Sequence, residues 1–308
     1  GDYAYVGIGL RVEVLDVTDL KNPKQVGSTG MLDGFITDIT IAGSYAYVTI
    51  GGVGLWVVDI SDPVHLNKVG FLRTPGYAES VDVTGNYAYV AAGGAGLRVI
   101  DISDKVHPKE IGIVYTGGYT FDVKVVGNLA YVAGAGAGLR IVDISDPAHP
   151  TEVGEYDTPG YAYGVAVVGS IAYVADGWKG LRVIDVFDPT QPKEIGAVET
   201  PVQAFGVVLL GTIAYVADAS SGLRVVDVSD PNKPTELGLY EVSGGHVRHV
   251  AVDGTTAYVV DRNLGLRVVD VSDPKTLTQI GFYGPMGSVE AVAVLGDYAY
   301  VAAGSSLR

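Results

Sequence analysis

Pairs of aspartates three residues apart are the chemical groups that recur most regularly in this 308-residue chain. Carboxylates at such a spacing can share a hard cation such as Ca²⁺. An aspartate beside a proline also caps its own turn through its side chain. Because the pairs recur in identical places, we interpret them as turn residues and predict no cofactor, with Ca²⁺ as the less favoured alternative. They are Asp59/Asp62, Asp143/Asp146, Asp185/Asp188 and Asp227/Asp230, with Asp273 in the corresponding place later on.

The histidines do not form a better candidate for a metal or catalytic site. His65, His107 and His149 share one place in successive segments, which is typical of a structural role. His246 and His249 are three residues apart on a predicted strand, so they face opposite sides of it. The nucleophile-elbow, zinc-protease and phosphate-loop motifs do not occur in the sequence. We therefore predict no catalytic residues and no metal ligands.

The even spacing of these groups reflects an internal repeat. The triplet Ala-Tyr-Val returns every 42 residues, with a single gap of 43. A fixed period near 40 residues indicates a repeat architecture. The triplet ends at Val6, Val48, Val90, Val132, Val174, Val216, Val259 and Val301.

One repeat contains four short apolar runs separated by turn residues. In the copy at 161–202 they are residues 164–168, 171–175, 181–186 and 193–198, which we call strands A, B, C and D. Gly169-Ser170 is a two-residue hairpin signal, and prolines separate C from D. Four antiparallel strands in about 42 residues is the size of a β-propeller blade.

The strand count predicts how the ring closes. The sequence contains seven A strands and seven D strands but eight B strands. We predict an all-β, seven-bladed propeller of four-stranded blades over residues 1–308. The last A strand, 288–295, would pair with the N-terminal strands. Residues 297–308 would then be a redundant tail or would displace the N-terminal strand. A ring of eight blades, two of them incomplete, is the alternative.

Composition restricts the partners. The formal net charge is −15, from 20 Lys and Arg against 35 Asp and Glu, which argues against nucleic acid or an anionic membrane as partner. The longest apolar stretch, 205–217, is shorter than the ~20 residues that a membrane helix needs, so we predict no membrane insertion. The chain contains no cysteine, which excludes disulfides and thiolate metal sites.

Positions that vary inside the constant repeat are the best candidates for recognition. The residue six before the glycine that ends strand A differs from repeat to repeat, and so do the B–C loops. In a four-stranded meander the D–A and B–C connections lie at the same end of the ring, so these positions converge on one rim. Exposed Trp, Tyr and Arg are typical of binding hot spots. The predicted ligand-binding residues are Tyr161, Tyr163, Trp178, Lys179, Phe205, His246, Arg248 and Arg262.

The third strand carries a resemblance to a known family. It reads LWVVD at 55–59, LRVID at 97–101 and 181–185, LRIVD at 139–143, and LRVVD at 223–227 and 266–270. These motifs resemble the LVIVD-repeat proteins, a group of bacterial and archaeal β-propellers. The resemblance implies a secreted or cell-surface protein, often one module of a larger multidomain protein. It implies no activity and no functional residues.

Three functions are consistent with these observations. We expect a non-catalytic extracellular propeller that binds a protein or a glycan with its loop rim. The first alternative is a hydrolase or lyase that acts on a polysaccharide at the channel mouth. It is less favoured because no acid–base pair stands apart from the repeated positions. The second alternative is a structural module of a surface polymer.

Overall fold

The computed structural model describes residues 3–7, 11–284, 288–295 and 298–304, and the regular structure in this part of the chain is entirely β. Each central repeat forms four antiparallel strands in the order A, B, C, D, as the turn residues predicted. Among the described residues, no helix is long and apolar enough to cross a bilayer.

The strands fall into the four predicted classes. The A strands are β4 (Ile36–Ala42), β8 (Ser80–Thr84), β12 (Asp122–Val126), β16 (Gly164–Val168), β20 (Ala204–Leu210), β24 (Val247–Asp253) and β28 (Ser288–Leu295). The B strands are β1 (Tyr3–Gly7), β5 (Tyr45–Ile50), β9 (Tyr87–Ala91), β13 (Leu129–Ala133), β17 (Ile171–Ala175), β21 (Ile213–Asp218), β25 (Thr256–Asp261) and β29 (Tyr298–Gly304).

The outer two classes complete the sheets. The C strands are β2 (Val12–Asp16), β6 (Gly54–Asp59), β10 (Leu97–Asp101), β14 (Leu139–Asp143), β18 (Leu181–Asp185), β22 (Gly222–Asp227) and β26 (Gly265–Asp270). The D strands are β3 (Lys24–Ser28), β7 (Asn67–Arg73), β11 (Lys109–Val114), β15 (Thr151–Tyr156), β19 (Lys193–Val198), β23 (Thr235–Tyr240) and β27 (Thr278–Tyr283).

The predicted number of blades was wrong. The structure has six four-stranded antiparallel blades, not seven, and the alternative of eight does not describe it either. Strands from the two ends of the chain form instead one five-stranded sheet, in the order β28-β29-β1-β2-β3. We call it the end sheet.

The error lies in the pairing of one strand. The sequence assigns the place beside β28 to β1, whereas β29 occupies it and pairs with β28 antiparallel. Strand β1 lies on the other side of β29 and runs parallel to it. A parallel neighbour avoids an unpaired edge on β29 without displacing β1. Most of the predicted tail 297–308 is therefore strand β29, and residues 297 and 305–308 lie outside the described residues.

The A strands follow one another around a central channel, and β28 of the end sheet contacts both β24 and β4. The hydrophobic core is divided between neighbouring sheets. Tyr173, from one Ala-Tyr-Val triplet, packs with Leu181 of its own blade against Ala204 and Val216 of the next blade. Since each blade buries its apolar surface on its neighbours, the ring positions the A strands without a single large core.

Candidate ligand site at the channel mouth

Two consecutive residues near the start of each A strand lie along the channel, and in β8, β12 and β16 the first of them directly precedes the strand. In β4, β20, β24 and β28 the pairing with strand B shifts by one residue at this point, as in a β-bulge, so two A residues oppose one B residue. We call the first residue of each pair the mouth layer: Thr37, Glu79, Phe121, Tyr163, Phe205, Arg248 and Glu290. We call the second residue the joint layer: Asp38, Ser80, Asp122, Gly164, Gly206, His249 and Ala291.

The mouth layer borders a cavity of about 760 Å³ on the channel. The B–C loop residue Arg262 also lines it, as do Tyr77 and Tyr119 from the segments that enter the A strands. A second cavity of about 380 Å³ lies further along the channel. Because Asp38, Asp122 and other joint-layer residues border both cavities, this layer separates the two.

Aromatic side chains form one side of the mouth. Tyr119, Phe121, Tyr163, Phe205 and His246 follow one another with ring centroids 4.8, 4.9, 4.9 and 5.3 Å apart, a contact series that we call the aromatic arc. These distances are those of tilted, favourable ring pairs. Burial and the positive charge of Arg248 lower the pKa of His246, which favours the neutral form of this ring.

Charged groups form the other side. The Arg248 guanidinium lies 4.6 Å from the Phe205 ring centroid, as a cation–π contact. One Arg248 nitrogen is 3.7 Å from a carboxylate oxygen of Glu290, and Nε of Arg262 is 2.9 Å from the other oxygen. Two arginines therefore share one carboxylate, and both retain N–H groups that this carboxylate does not use.

Glu79 is the second carboxylate of the mouth. It accepts a hydrogen bond from the Tyr119 hydroxyl at 2.7 Å. Burial raises the pKa of Glu79, and the negative charge of Glu290 adds to the increase, while the Tyr119 hydrogen bond and Arg248 oppose it. The mouth thus contains one carboxyl group whose pKa is raised by burial and one that is paired with two arginines.

The joint layer bonds to backbone groups of the next sheet. Asp38 accepts the N–H of Val81 at 3.0 Å, and Asp122 accepts the N–H of Val165 at 2.9 Å. Asp82, two residues deeper than this layer, accepts the N–H of Val125 at 2.8 Å. All three bonds span 43 residues, one repeat plus one position.

The joint between β24 and the end sheet uses a histidine instead. His249 Nδ1 accepts the N–H of Val292 at 3.2 Å, again 43 residues away. Burial lowers the pKa of His249, and the negative charge of Asp122 opposes that shift. Burial raises the pKa of Asp38 and Asp122, against the hydrogen bonds that they accept. We assign these groups a structural role, because their acceptor atoms already bond to backbone groups of the next sheet.

The structure brings most of the predicted binding residues together. Tyr163, Phe205, Arg248 and Arg262 line the mouth cavity. Tyr161 stacks on Tyr163 at 6.4 Å, and His246 contacts Phe205. Trp178 and Lys179 lie on a B–C loop and do not line this cavity. The Trp178 side chain is 62% exposed on the rim.

Sequence comparison of the repeats selected only part of the mouth. Glu79, Phe121 and Glu290 occupy the same repeat position as Tyr163, but the prediction favoured the aromatic and basic groups of the later repeats. Tyr119 occupies the same position as Tyr161, two residues before the mouth layer. The position in the repeat was therefore a sufficient signal for all four.

The repeated polar groups have the structural roles that the sequence indicated. Asp59 accepts the N–H of Ser61, and Asp62 accepts the N–H of Val64, so both cap turns. His65 Nδ1 lies 3.0 Å from Asp62, and His107 and His149 repeat this contact. In the described residues, no group of three His, Asp or Glu side chains is arranged to hold a metal ion.

Comparison with known proteins identifies the repeat. The profile described as "LVIVD repeat" matches residues 33–74, 75–116, 117–158, 159–200, 203–242, 244–284 and 286–307. These seven matches cover most of the chain. No curated protein sequence matches it.

Several solved structures share the fold. The computationally designed Ika8 protein is 11% identical, with a TM-score of 0.74 over 98% of this chain and 91% of that one. A functionally unknown protein from Desulfotomaculum acetoxidans DSM 771 is 14% identical, with a TM-score of 0.75 over 91% and 95%. The Cps50 (Swd1) β-propeller domain of Myceliophteria thermophila is 14% identical, with a TM-score of 0.68 over 86% and 91%. Identities this low support the propeller fold alone.

Proposed function

The chain belongs to the LVIVD-repeat family, and we propose that this member is a non-catalytic module that binds a protein or glycan partner in its channel mouth. We place it outside the cell, on a bacterium or archaeon, within a larger multidomain or polymeric protein. The net charge of −15 is the reason to propose neither nucleic acid nor a membrane as partner.

One observation carries the proposal. The repeat position that faces the mouth holds five different residue types in the seven sheets, and those side chains meet around one cavity of about 760 Å³. Ligand sites are typically cavities of this size, mostly apolar, with a few polar groups that fix the orientation of the ligand. The aromatic arc supplies apolar rings of this kind, and the Arg248–Glu290–Arg262 cluster supplies polar groups that can fix an orientation.

The test is a binding screen with matched variants. The protein is applied to arrays of glycans and of immobilised extracellular proteins, together with Phe205→Ala and Arg248→Ala in the mouth. Phe187→Ala is the control, because Phe187 is 84% exposed and does not line the mouth. We expect binding that the two mouth variants weaken and the control keeps. Equal binding by all four proteins would contradict the proposal.

A second candidate, hydrolysis of a polysaccharide, is favoured by the unequal carboxyl groups of the mouth. Burial raises the pKa of Glu79, whereas Glu290 is paired with Arg248 and Arg262. Glycosidases use one protonated carboxyl group as acid and one ionised carboxylate as base or nucleophile. If the candidate is right, wild type releases reducing ends from a bound glycan and Glu79→Gln does not. Binding without any release of reducing ends would support the non-catalytic function.

A further inference from the structure

We infer that the ligand of the mouth is the terminal sugar of a glycan, which enters the channel end-on. This inference rests on the proposed function, since it needs the mouth to be the binding site. Of the two proposed partners we choose the glycan, and we assign its terminal sugar to the cavity. Three features of the described residues carry it. The mouth has an aromatic side and a charged side, its backbone N–H groups are already hydrogen-bonded, and the joint layer closes its inner end.

The first feature is the division of the mouth into an aromatic side and a charged side. A pyranose ring has apolar C–H faces and a polar edge of hydroxyl groups. The C–H faces fit the negative faces of rings such as Tyr163 and Phe205. The hydroxyls fit groups that donate and accept at once, which Arg248, Arg262 and Glu290 supply together. A sugar can use both sides in one pose.

The second feature disfavours a peptide. Peptides that bind along a sheet edge need free backbone N–H and C=O groups. The N–H groups of Glu79, Phe121 and Tyr163 already donate to carbonyls of the neighbouring B strands. Further out, Ala204 and Gly177 donate to each other's carbonyls between adjacent blades. At these positions the mouth therefore presents side chains rather than backbone groups to a ligand.

The third feature limits the ligand to a chain end. The mouth cavity lies on the channel, surrounded by the A strands of all the sheets. Its inner boundary is the joint layer, where Asp38, Asp122 and His249 are held by bonds to the next sheet. A polysaccharide that lay across the rim would place its sugars above the aromatic arc. Only a terminal sugar can descend to the level of Phe205 and Arg248.

The experiment uses linear oligosaccharides immobilised through one end, with the methyl glycoside of the terminal sugar as competitor. Linear maltohexaose and its cyclic counterpart of six glucose units form a matched pair with and without ends. The protein variants are Phe205→Leu, which keeps an apolar side chain without a ring, and Phe205→Tyr, which keeps the ring. Thermal unfolding of each variant confirms that it is folded.

We expect at least one linear glycan to bind, the methyl glycoside to compete, and the cyclic form not to bind. Phe205→Leu should weaken binding about three- to tenfold, the value of one aromatic contact, and Phe205→Tyr should restore it. Mouth-dependent binding of proteins but of no glycan would overturn this inference and leave the proposed function intact. Glycan binding that ignores Phe205, or no binding at all, would overturn both. Equal binding of linear and cyclic forms would overturn the end-on entry.

Discussion

The mouth layer and the joint layer are one residue apart in the chain, yet their side chains meet different partners. Asp122 accepts the N–H groups of Val123 and Val165 and the hydroxyl of Ser80. The ring of Phe121, its neighbour in the chain, packs against the rings of Tyr119 and Tyr163. Both residues border the mouth cavity.

The difference shows that a channel residue is structural when its side chain can hydrogen-bond to a backbone group of the next sheet. A side chain in the joint layer is level with a backbone N–H group of the next sheet. An acceptor atom on that side chain satisfies the N–H group, which would otherwise be buried without a hydrogen bond. In the mouth layer, the Thr37 hydroxyl donates to the Ala78 carbonyl of the next repeat. At Glu79, Phe121 and Tyr163 the backbone N–H groups are already bonded within the blade, so the side chains there are not needed as partners for them. Variation in the mouth layer is therefore free to serve recognition. The following predictions test this division.

Deleting residues 298–308 should have the largest effect. The deletion removes β29, which pairs with β28 on one side and with β1 on the other. With several backbone hydrogen bonds lost at about 0.5–1.5 kcal/mol each, we expect a loss of stability on the order of 5 kcal/mol. Urea denaturation followed by tyrosine fluorescence measures it. An unchanged midpoint would mean that β28 reaches β1 without β29.

Asp122→Ala should have the next largest effect. It leaves two backbone N–H groups and the Ser80 hydroxyl without their acceptor in a buried place. We expect a loss of about 2–4 kcal/mol in the free energy of unfolding. Glu79→Gln in the mouth layer is the control and should change this free energy by less than about 1 kcal/mol. Similar losses in both variants would abolish the distinction between the layers.

Gly164→Ala tests the joints that have no side chain. A Cβ at Gly164 would lie 2.7 Å from the Phe205 carbonyl oxygen, because the neighbouring A strands approach each other closely there. We expect a loss of about 1–3 kcal/mol in the free energy of unfolding. The control is Gly94→Ala, since a Cβ at Gly94 meets no atom within 4 Å. A stable Gly164→Ala variant would show that the strands can separate at no cost.

His249 should make one joint sensitive to pH. Its pKa is lower in the folded protein than the ordinary 6.5, so the unfolded chain takes up the proton first. Its contribution to stability is present above pH 6.5 and falls as the pH drops towards the folded pKa, by at most roughly 1.4 kcal/mol per pH unit. The pKa values of Asp38 and Asp122 are raised in the folded protein, so protonation of these carboxyl groups adds to stability as the pH falls. This effect is opposite to that of His249.

The measurement is the urea midpoint between pH 7 and pH 5, compared between wild type and His249→Gln. Glutamine keeps an acceptor for Val292 but does not titrate. We expect a shallower pH dependence in the variant, whereas His107→Gln, at an exposed turn, should follow wild type. Parallel curves for wild type and His249→Gln would show that the joint does not respond to pH.

Tyr119→Phe should have the smallest effect. It removes only the hydroxyl that donates to Glu79 in the half-open mouth. We expect a change of about 0.5 kcal/mol in the free energy of unfolding and a further rise in the pKa of Glu79. NMR titration of the Glu79 side chain measures the second quantity. A pKa that fell instead would mean that the hydroxyl does not stabilise the carboxylate.

The sequence predicts the repeats well because each strand has local signals. The hairpin glycines fix the A–B turns. Strands A, B and D of the copy at 161–202, which are β16, β17 and β19, have the predicted bounds, and so does β28. Strand C of this copy ends at Asp185, one residue before the predicted end at Val186.

The blade number could not be predicted by counting strands. Eight B strands and seven A strands are consistent with several ways of closing a ring, and a parallel pairing of two B strands has no local sequence signal. The mouth was predictable for a different reason. Repeats can be compared with one another, so Glu79 and Glu290 were visible as variable positions even though their spatial neighbours were not.

The parallel order of β1 and β29 has a mechanical consequence. Tyr5 lies opposite Tyr300 and Val6 opposite Val301 in this pairing. Tension applied to the start of β1 and to the end of β29 pulls the two strands in opposite directions along their length. The hydrogen bonds between them are then loaded together, in shear, instead of opening one after another. Tension applied through both ends of the chain would therefore load the pairing of β1 with β29 in the direction in which it resists separation best.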